Sequence, residues 1–206
     1  MITYTSQPAE ADGIDTYINQ DTPTTNYGTL VNIPVGLFIG SSLPLRGLLK
    51  FDLSKGENPP EPGITVVGSP KITIYCEQYS VARTLALYEC LLDWVEGQAT
   101  WNIWKTGSDW TTGGAGSDGN DYLSAVLGSV AITGTGSYDI DIPASIVQKW
   151  IDTQNYGMVL RHTVETTNFN RYSSSDNVTA ENRPKLTFDY ILSEMSEIAG
   201  QIIHYL

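Results

Sequence analysis

A chain of 206 residues, 41% hydrophobic and only 17% charged, has the size and apolar content for one domain with a full core. Its formal charge of −12 and its scattered Lys and Arg leave no basic stripe, which excludes direct binding to a nucleic-acid backbone and disfavours an anionic membrane surface. No run approaches the ~18 apolar residues of a transmembrane helix, and the abundance of Gly, Ser, Thr, Asn, Asp and Pro points to an all-β chain.

Residues 1–13 read as an extended N-terminal arm with Pro8 and Gly13. They lack the basic and apolar regions of a secretory leader. Alternation predicts strands over 14–19 and 30–36, the second with Pro34 marking an edge or bulge. The strand at 45–54 puts Leu49 and Phe51 on one face and Leu48 and Lys50 on the other. The proline-rich stretch 56–63 cannot join a central ladder. Beyond it, 71–78 and 84–92 read as a hairpin with Ile72, Ile74, Leu85 and Leu87 inward. The same parity turns Cys76 inward and Cys90 to the opposite face, which predicts two free thiols.

Four of the five tryptophans, Trp94, Trp101, Trp104 and Trp110, follow in one short stretch. Each ring removes roughly 150–250 Å² from water when buried, so the cluster either fixes a core or makes a sticky surface. Trp94 and Trp101 bracket a tight turn and read as core plugs. Trp104 and Trp110 border the glycine-rich stretch 105–121, which reads as a flexible surface loop, and are the expected exposed pair. Strands follow at 122–133 and 136–142. Then comes a helix at 143–151, with Pro143 in its first turn and Ile146, Val147, Trp150 and Ile151 at helical spacing. Further strands fall at 156–163 and 181–191, the last with Leu186, Phe188 and Tyr190 alternating. The sum is an antiparallel two-sheet sandwich or jelly roll over residues 14–190, with one short internal helix.

Residues 191–206 differ from all that precedes them. Ile191, Met195, Ile198, Ile202 and Tyr205 recur at heptad spacing. An isolated helix of this length is marginal in water, so an amphipathic C-terminal helix is expected to pack on something. Its own sandwich, sister subunits (a trimer being the favoured oligomer) and another protein are the alternatives.

The ordered stretches DTYIN, NYG, RGLLKFDLS, LALYECLLDWVEGQATWNIW, GSYDIDIPASIVQKW, NYGMVLR, RYSSSDN and ENRPKLTFDY resemble a DNRLRE domain. This is a jelly-roll module of bacterial surface and secreted proteins, related to alginate-type carbohydrate-binding modules. The resemblance spans about residues 13–190. It implies a β-sandwich with a non-catalytic binding or scaffold role and carries over no catalytic residue. Such modules normally stand behind a signal peptide. A version without export information fits a bacteriophage virion protein, assembled in the host cytoplasm, where disulfides are rare.

The chemistry of individual residues adds little to this. Asp93 and Glu96 flank Trp94, but acids in so sharp a turn more often bond backbone N–H groups than act across a sugar. Neither a G-x-S-x-G elbow nor a Cys/His cluster occurs, and His162 and His204 stand apart from any triad pattern. No cofactor is required. Calcium is the one ion whose ligands the chain offers, through Asp118, Asn120 and Asp121, residues equally common in any exposed turn. The aromatic residues available to stack on a sugar are Tyr4, Tyr17, Tyr27, Trp101, Trp104, Trp110 and Tyr122. Trp104, Trp110 and Tyr122, nearest the glycine-rich loop, are the expected carbohydrate contacts. The expectation is therefore a non-enzymatic structural protein of a phage virion, a capsid decoration or tail or fibre component. It would be held by Ile191, Met195, Ile198, Ile202 and Tyr205 to other virion proteins or sister chains. The alternative is an adhesin for host or environmental glycans at an extracellular surface.

Overall fold

The computed structural model describes residues 1–192 except Glu10 and Ile39. Among them the chain runs β1 (Ile2–Ser6), β2 (Ile14–Asn19), β3 (Asn32–Leu37), β4 (Pro44–Lys50), β5 (Ile64–Gln78), β6 (Arg83–Cys90), β7 (Ile103–Lys105), β8 (Ser108–Asp109), β9 (Tyr122–Ile132), β10 (Gly136–Asp141), α1 (Ala144–Asp152), β11 (Met158–His162), β12 (Phe169–Ser173) and β13 (Lys185–Leu192). Hydrogen bonding follows the order β1-β13-β5-β12-β3-β4-β11-β6-β9, with β10 added to β5 and β2 to β4. Every pairing is antiparallel. The sheet doubles over into a sandwich. One layer holds β1, β13, β5, β10 and β12, the other β2, β4, β11, β6 and β9, and β3 crosses between them.

Alternation builds the core. Ile72, Ile74 and Cys76 of β5, with Leu186, Phe188 and Tyr190 of β13, face Leu49, Leu85, Leu87, Met158 and Leu160 of the other layer. Helix α1 closes one side. Its Val147 and Trp150 are buried, and the Gln148 amide grips the edge of β5 by donating to Ile64 O at 3.1 Å and accepting from Val66 N at 2.8 Å.

Three expectations are corrected here. The predicted hairpin of 71–78 with 84–92 does not form. β5 pairs with β10, β12 and β13, and β6 with β9 and β11. Their inward rows meet across the core because the intervening loop crosses from one layer to the other. The N-terminal arm is the edge strand β1, paired to β13 from Ile2↔Tyr190 to Ser6↔Leu186, and Tyr4 is fully buried against Phe188. Glu57, in the proline-rich stretch, caps this edge by exchanging both backbone bonds with Thr5. Ile191 belongs to β13 rather than to a helix, paired with Thr65. Met195, Ile198, Ile202 and Tyr205 lie outside the described residues.

Candidate functional site

The tryptophan-rich segment forms a second core on the outer face of the β2-β4-β11-β6 layer. Trp94, Trp101 and Trp110 are buried there with Ala99 and Ala115, over Ile18, Leu48, Val159 and Cys90. Cys90 therefore faces away from Cys76, as parity predicts. It is covered all the same, both thiols are free, and burial pushes Cys90 to about 12. Trp94 Nε1 donates to Tyr156 O and Trp110 Nε1 to Thr100 O, both at 2.9 Å.

The glycine-rich stretch is not a loose surface loop. The backbone of Gly114 lies flat on the Trp101 ring, where a Cβ would come within 2.3 Å of Cη2, and its φ of +78° suits glycine. Arg46 ties down the same turn. It donates to Gly114 O at 2.6 Å, stacks 5.3 Å from Trp101 and forms a bidentate pair with Glu165, which also accepts from Arg161. These guanidinium groups hold the Glu165 carboxyl below its usual range against the opposing effect of burial.

This packing redraws the expected site. Trp110, expected to be exposed, is only 4% accessible and its N–H is spent, so it is no free-standing platform for a sugar and shows only a sliver of ring to a shallow cleft. Trp104 is half-buried, with the Lys105 ammonium 4.3 Å from its ring. Tyr122 is also half-buried, edge-on to Tyr88 and covered by Arg161 at 5.3 Å. The calcium candidates do not converge either. Asp121 is fully buried and accepts backbone N–H bonds from Thr111, Thr112 and Ser117. Asp118 accepts from Ser124 N and Oγ, and Asn120 donates to Ser117 Oγ. Among the described residues no group of three or more His, Cys, Asp or Glu is placed to hold a metal.

Other ionisable groups are likewise engaged. Asp93 pairs with Lys50 at 3.1 Å, and Glu96 accepts from Asp15 N at 2.8 Å. His162 is buried against the Tyr172 hydroxyl, and desolvation lowers it to about 4, so it is neutral at pH 7.

An open aromatic groove lies elsewhere, where β3 leaves one layer for the other. β3 pairs with β12 along its length but with β4 only at Gly36 and Leu37. A notch opens between β2 and β3. Alternation puts Tyr17 and Asn19 on one face of β2, Asn32 and Pro34 on one face of β3, and Phe169 and Arg171 on one face of β12. All six line a cavity of about 320 Å³, together with Phe38 at the rim. Gly36 allows the crossing, since a Cβ there would sit 2.6 Å from Asn168 O.

The rings are paired: Tyr17 stacks on Tyr27 at 4.2 Å and Phe38 on Phe169 at 6.1 Å. Burial and the neighbouring Tyr27 push the Tyr17 phenol up to about 12, so it stays protonated. The Arg171 guanidinium lies 5.3 Å from the Phe169 ring and donates to Gln78 Oε1. Among the described residues no carboxylate lies within ion-pair distance of it. The rim carries Leu30 and Phe38, respectively 42% and 47% exposed.

Of these groove residues, the sequence reading had singled out only Tyr17 and Tyr27. Phe38, Phe169 and Arg171 were missed. The available signal was the uncharged run 22–45, unusual in so acidic a chain.

A two-layer β-sandwich with a ring-lined notch at its edge has the build of a small ligand-binding module. Comparison with known families carries this further. Residues 3–190 match the model of carbohydrate-binding module family 96, and the chain belongs to that family. The kinship with carbohydrate-binding modules expected from the sequence holds under this family name rather than under DNRLRE. No curated protein matches the chain.

Proposed function

We propose that this protein is a non-catalytic carbohydrate binder and that the sugar enters the groove between β2 and β3. Tyr17 and Phe38 offer apolar faces for the C–H side of a ring, with the buried Phe169 backing Phe38. Asn19, Asn32 and Arg171 offer amide and guanidinium groups for its oxygens. The observation that carries the reading is the coincidence of two exposed apolar residues, two ring stacks and an arginine without a carboxylate partner at one notch. Affinity electrophoresis through gels containing alginate, xylan or cellulose derivatives tests it. One of these should retard the wild type, and Tyr17→Ala or Arg171→Ala should abolish the retardation with little change in melting temperature. Retention by none of them, or retention that survives both changes, refutes the reading.

A second reading concerns where the module is held. β13 ends in Ile191 and Leu192, 42% and 65% exposed, and leads straight into the heptad-spaced segment. On this reading Met195, Ile198, Ile202 and Tyr205 attach the module to sister chains or to a phage particle, and the sandwich serves as a virion component. Removing residues 193–206 should then abolish assembly while leaving glycan retention intact. A truncated chain of unchanged oligomeric state in solution that still joins its particle refutes it.

A further inference from the structure

A second cleft opens beside Thr24 of the 20–28 loop. It has a volume of about 430 Å³, floored by Ile103, Trp110 and Gly113 and flanked by Thr24, Asn102 and Asp109. Those last three are exposed, and none of their side chains bonds to a protein group among the described residues. Neighbouring polar groups differ in this respect. The Asn26 amide donates to Glu96 O and Ala99 O, and Asp118 and Asp121 are consumed by backbone N–H groups. A hydroxyl, a primary amide and a carboxylate that are left unspent over an apolar floor match a ligand whose hydroxyls both donate and accept. The carboxylate disfavours an anionic group at this position.

The 20–28 loop links the cleft to the groove. Thr24 lines the cleft, and Tyr27, three residues on, stacks on Tyr17 of the groove. Three residues span at most about 11 Å. The loop between is pinned to the tryptophan-rich segment by Asn26 and by Asn102 N donating to Pro23 O at 3.1 Å, so the spacing of the two cavities is set by the fold.

We infer that the cleft beside Thr24, Asn102 and Asp109 is a second sugar subsite and that the ligand is an oligosaccharide chain crossing the 20–28 loop, not a single terminal sugar. This rests on the glycan reading of the groove. The test is calorimetric titration of the wild type and of Asn102→Ala/Asp109→Ala with size ladders, disaccharide to octasaccharide, cut from alginate, xylan and cellulose.

Wild-type affinity should rise roughly 10-fold along one ladder, the worth of one or two net hydrogen bonds. The double variant should bind the disaccharide unchanged and lose most of that rise. Thr24→Ala, which alters a loop side chain with no partner, should lower the rise in the same direction. Affinity that is flat from the disaccharide upward, or a rise that persists in the double variant, overturns the second subsite and leaves the groove standing. Failure of every ladder to bind the wild type refutes the groove and the subsite together. Unchanged melting temperatures of the variants separate loss of contact from loss of fold.

Discussion

The rings between Trp94 and Trp110 and the rings of Tyr17, Tyr27, Phe38 and Phe169 are both aromatic clusters on a β-sandwich, yet they do opposite work. Three of the four tryptophans sink into a second core with their N–H groups or faces committed. Tyr17, Tyr27 and Phe38 stay in reach of solvent around an open notch, with the buried Phe169 beneath them. Density of aromatic residues along the chain is therefore a poor guide to a binding surface. What separates the two regions is whether a strand or loop can close over the rings. The 91–121 segment closes over its own tryptophans, whereas the crossing of β3 holds β2 and β12 apart.

The strongest test of this contrast is to cut one ring from each region. Trp94→Ala empties a site that is 1% accessible and should cost about 3–5 kcal/mol of stability. Chemical denaturation measures it. Tyr17→Ala, on the half-open side, should cost much less and act on ligand retention instead. Equal losses of stability would mean that the groove rings are core after all.

A second test falls on the joint between the regions. Asp15 lies two residues before Tyr17, accepts from Ser175 N at 2.8 Å and donates its own N–H to Glu96 in the tryptophan-rich segment. Burial raises Asp15 to about 6 and Glu96 to about 7, with Asp176 adding repulsion to both and Lys50 partly relieving Glu96. The folded state thus holds these protons more tightly than the unfolded chain. Their contribution is fully present below about pH 4, falls as pH rises through 6 to 7, and is gone at pH 8. Melting temperature should drop across that window. Asp15→Asn keeps an acceptor for Ser175 N and should flatten the drop, by about 3 kcal/mol between the two limits. A wild-type profile flat from pH 5 to 8 contradicts the burial argument.

Much of this was legible in the sequence. Period-two alternation placed the inward rows of β5, β6 and β13 and sent Cys76 and Cys90 to opposite faces, and the tight turn that Trp94 and Trp101 bracket marked both as core. Pairing was not legible, because alternation says which face a residue takes and not which strand lies beside it. That is why β5 and β6 read as a hairpin although they face each other across the core. Trp110 was misplaced for a related reason: in a loop no periodicity exists, and glycine content was read as exposure although Gly113 and Gly114 are small so that Trp101 can lie against them. Asp118 and Asp121 show the limit of residue chemistry, since the same oxygens serve a cation or a turn's N–H groups. The groove was the hardest to see. Tyr17, Phe38, Phe169 and Arg171 are far apart in sequence and meet only because β3 changes layers.

Trp104 supplies the smallest and most discriminating effect. It is the one tryptophan of its cluster left half-open, on the two-stranded β7–β8 ribbon, with Lys105 laid over its ring. Removing it costs the ring's partial burial against the second core and an exposed cation–π contact, about 2 kcal/mol. Trp104→Ala should melt below the wild type but above Trp94→Ala and keep full retention in a polysaccharide gel, because Trp104 does not line the groove. If retention vanishes in Trp104→Ala and survives in Tyr17→Ala, the two aromatic regions exchange roles: the half-open tryptophan is the sugar platform and the notch beside β3 is only a crease in the fold.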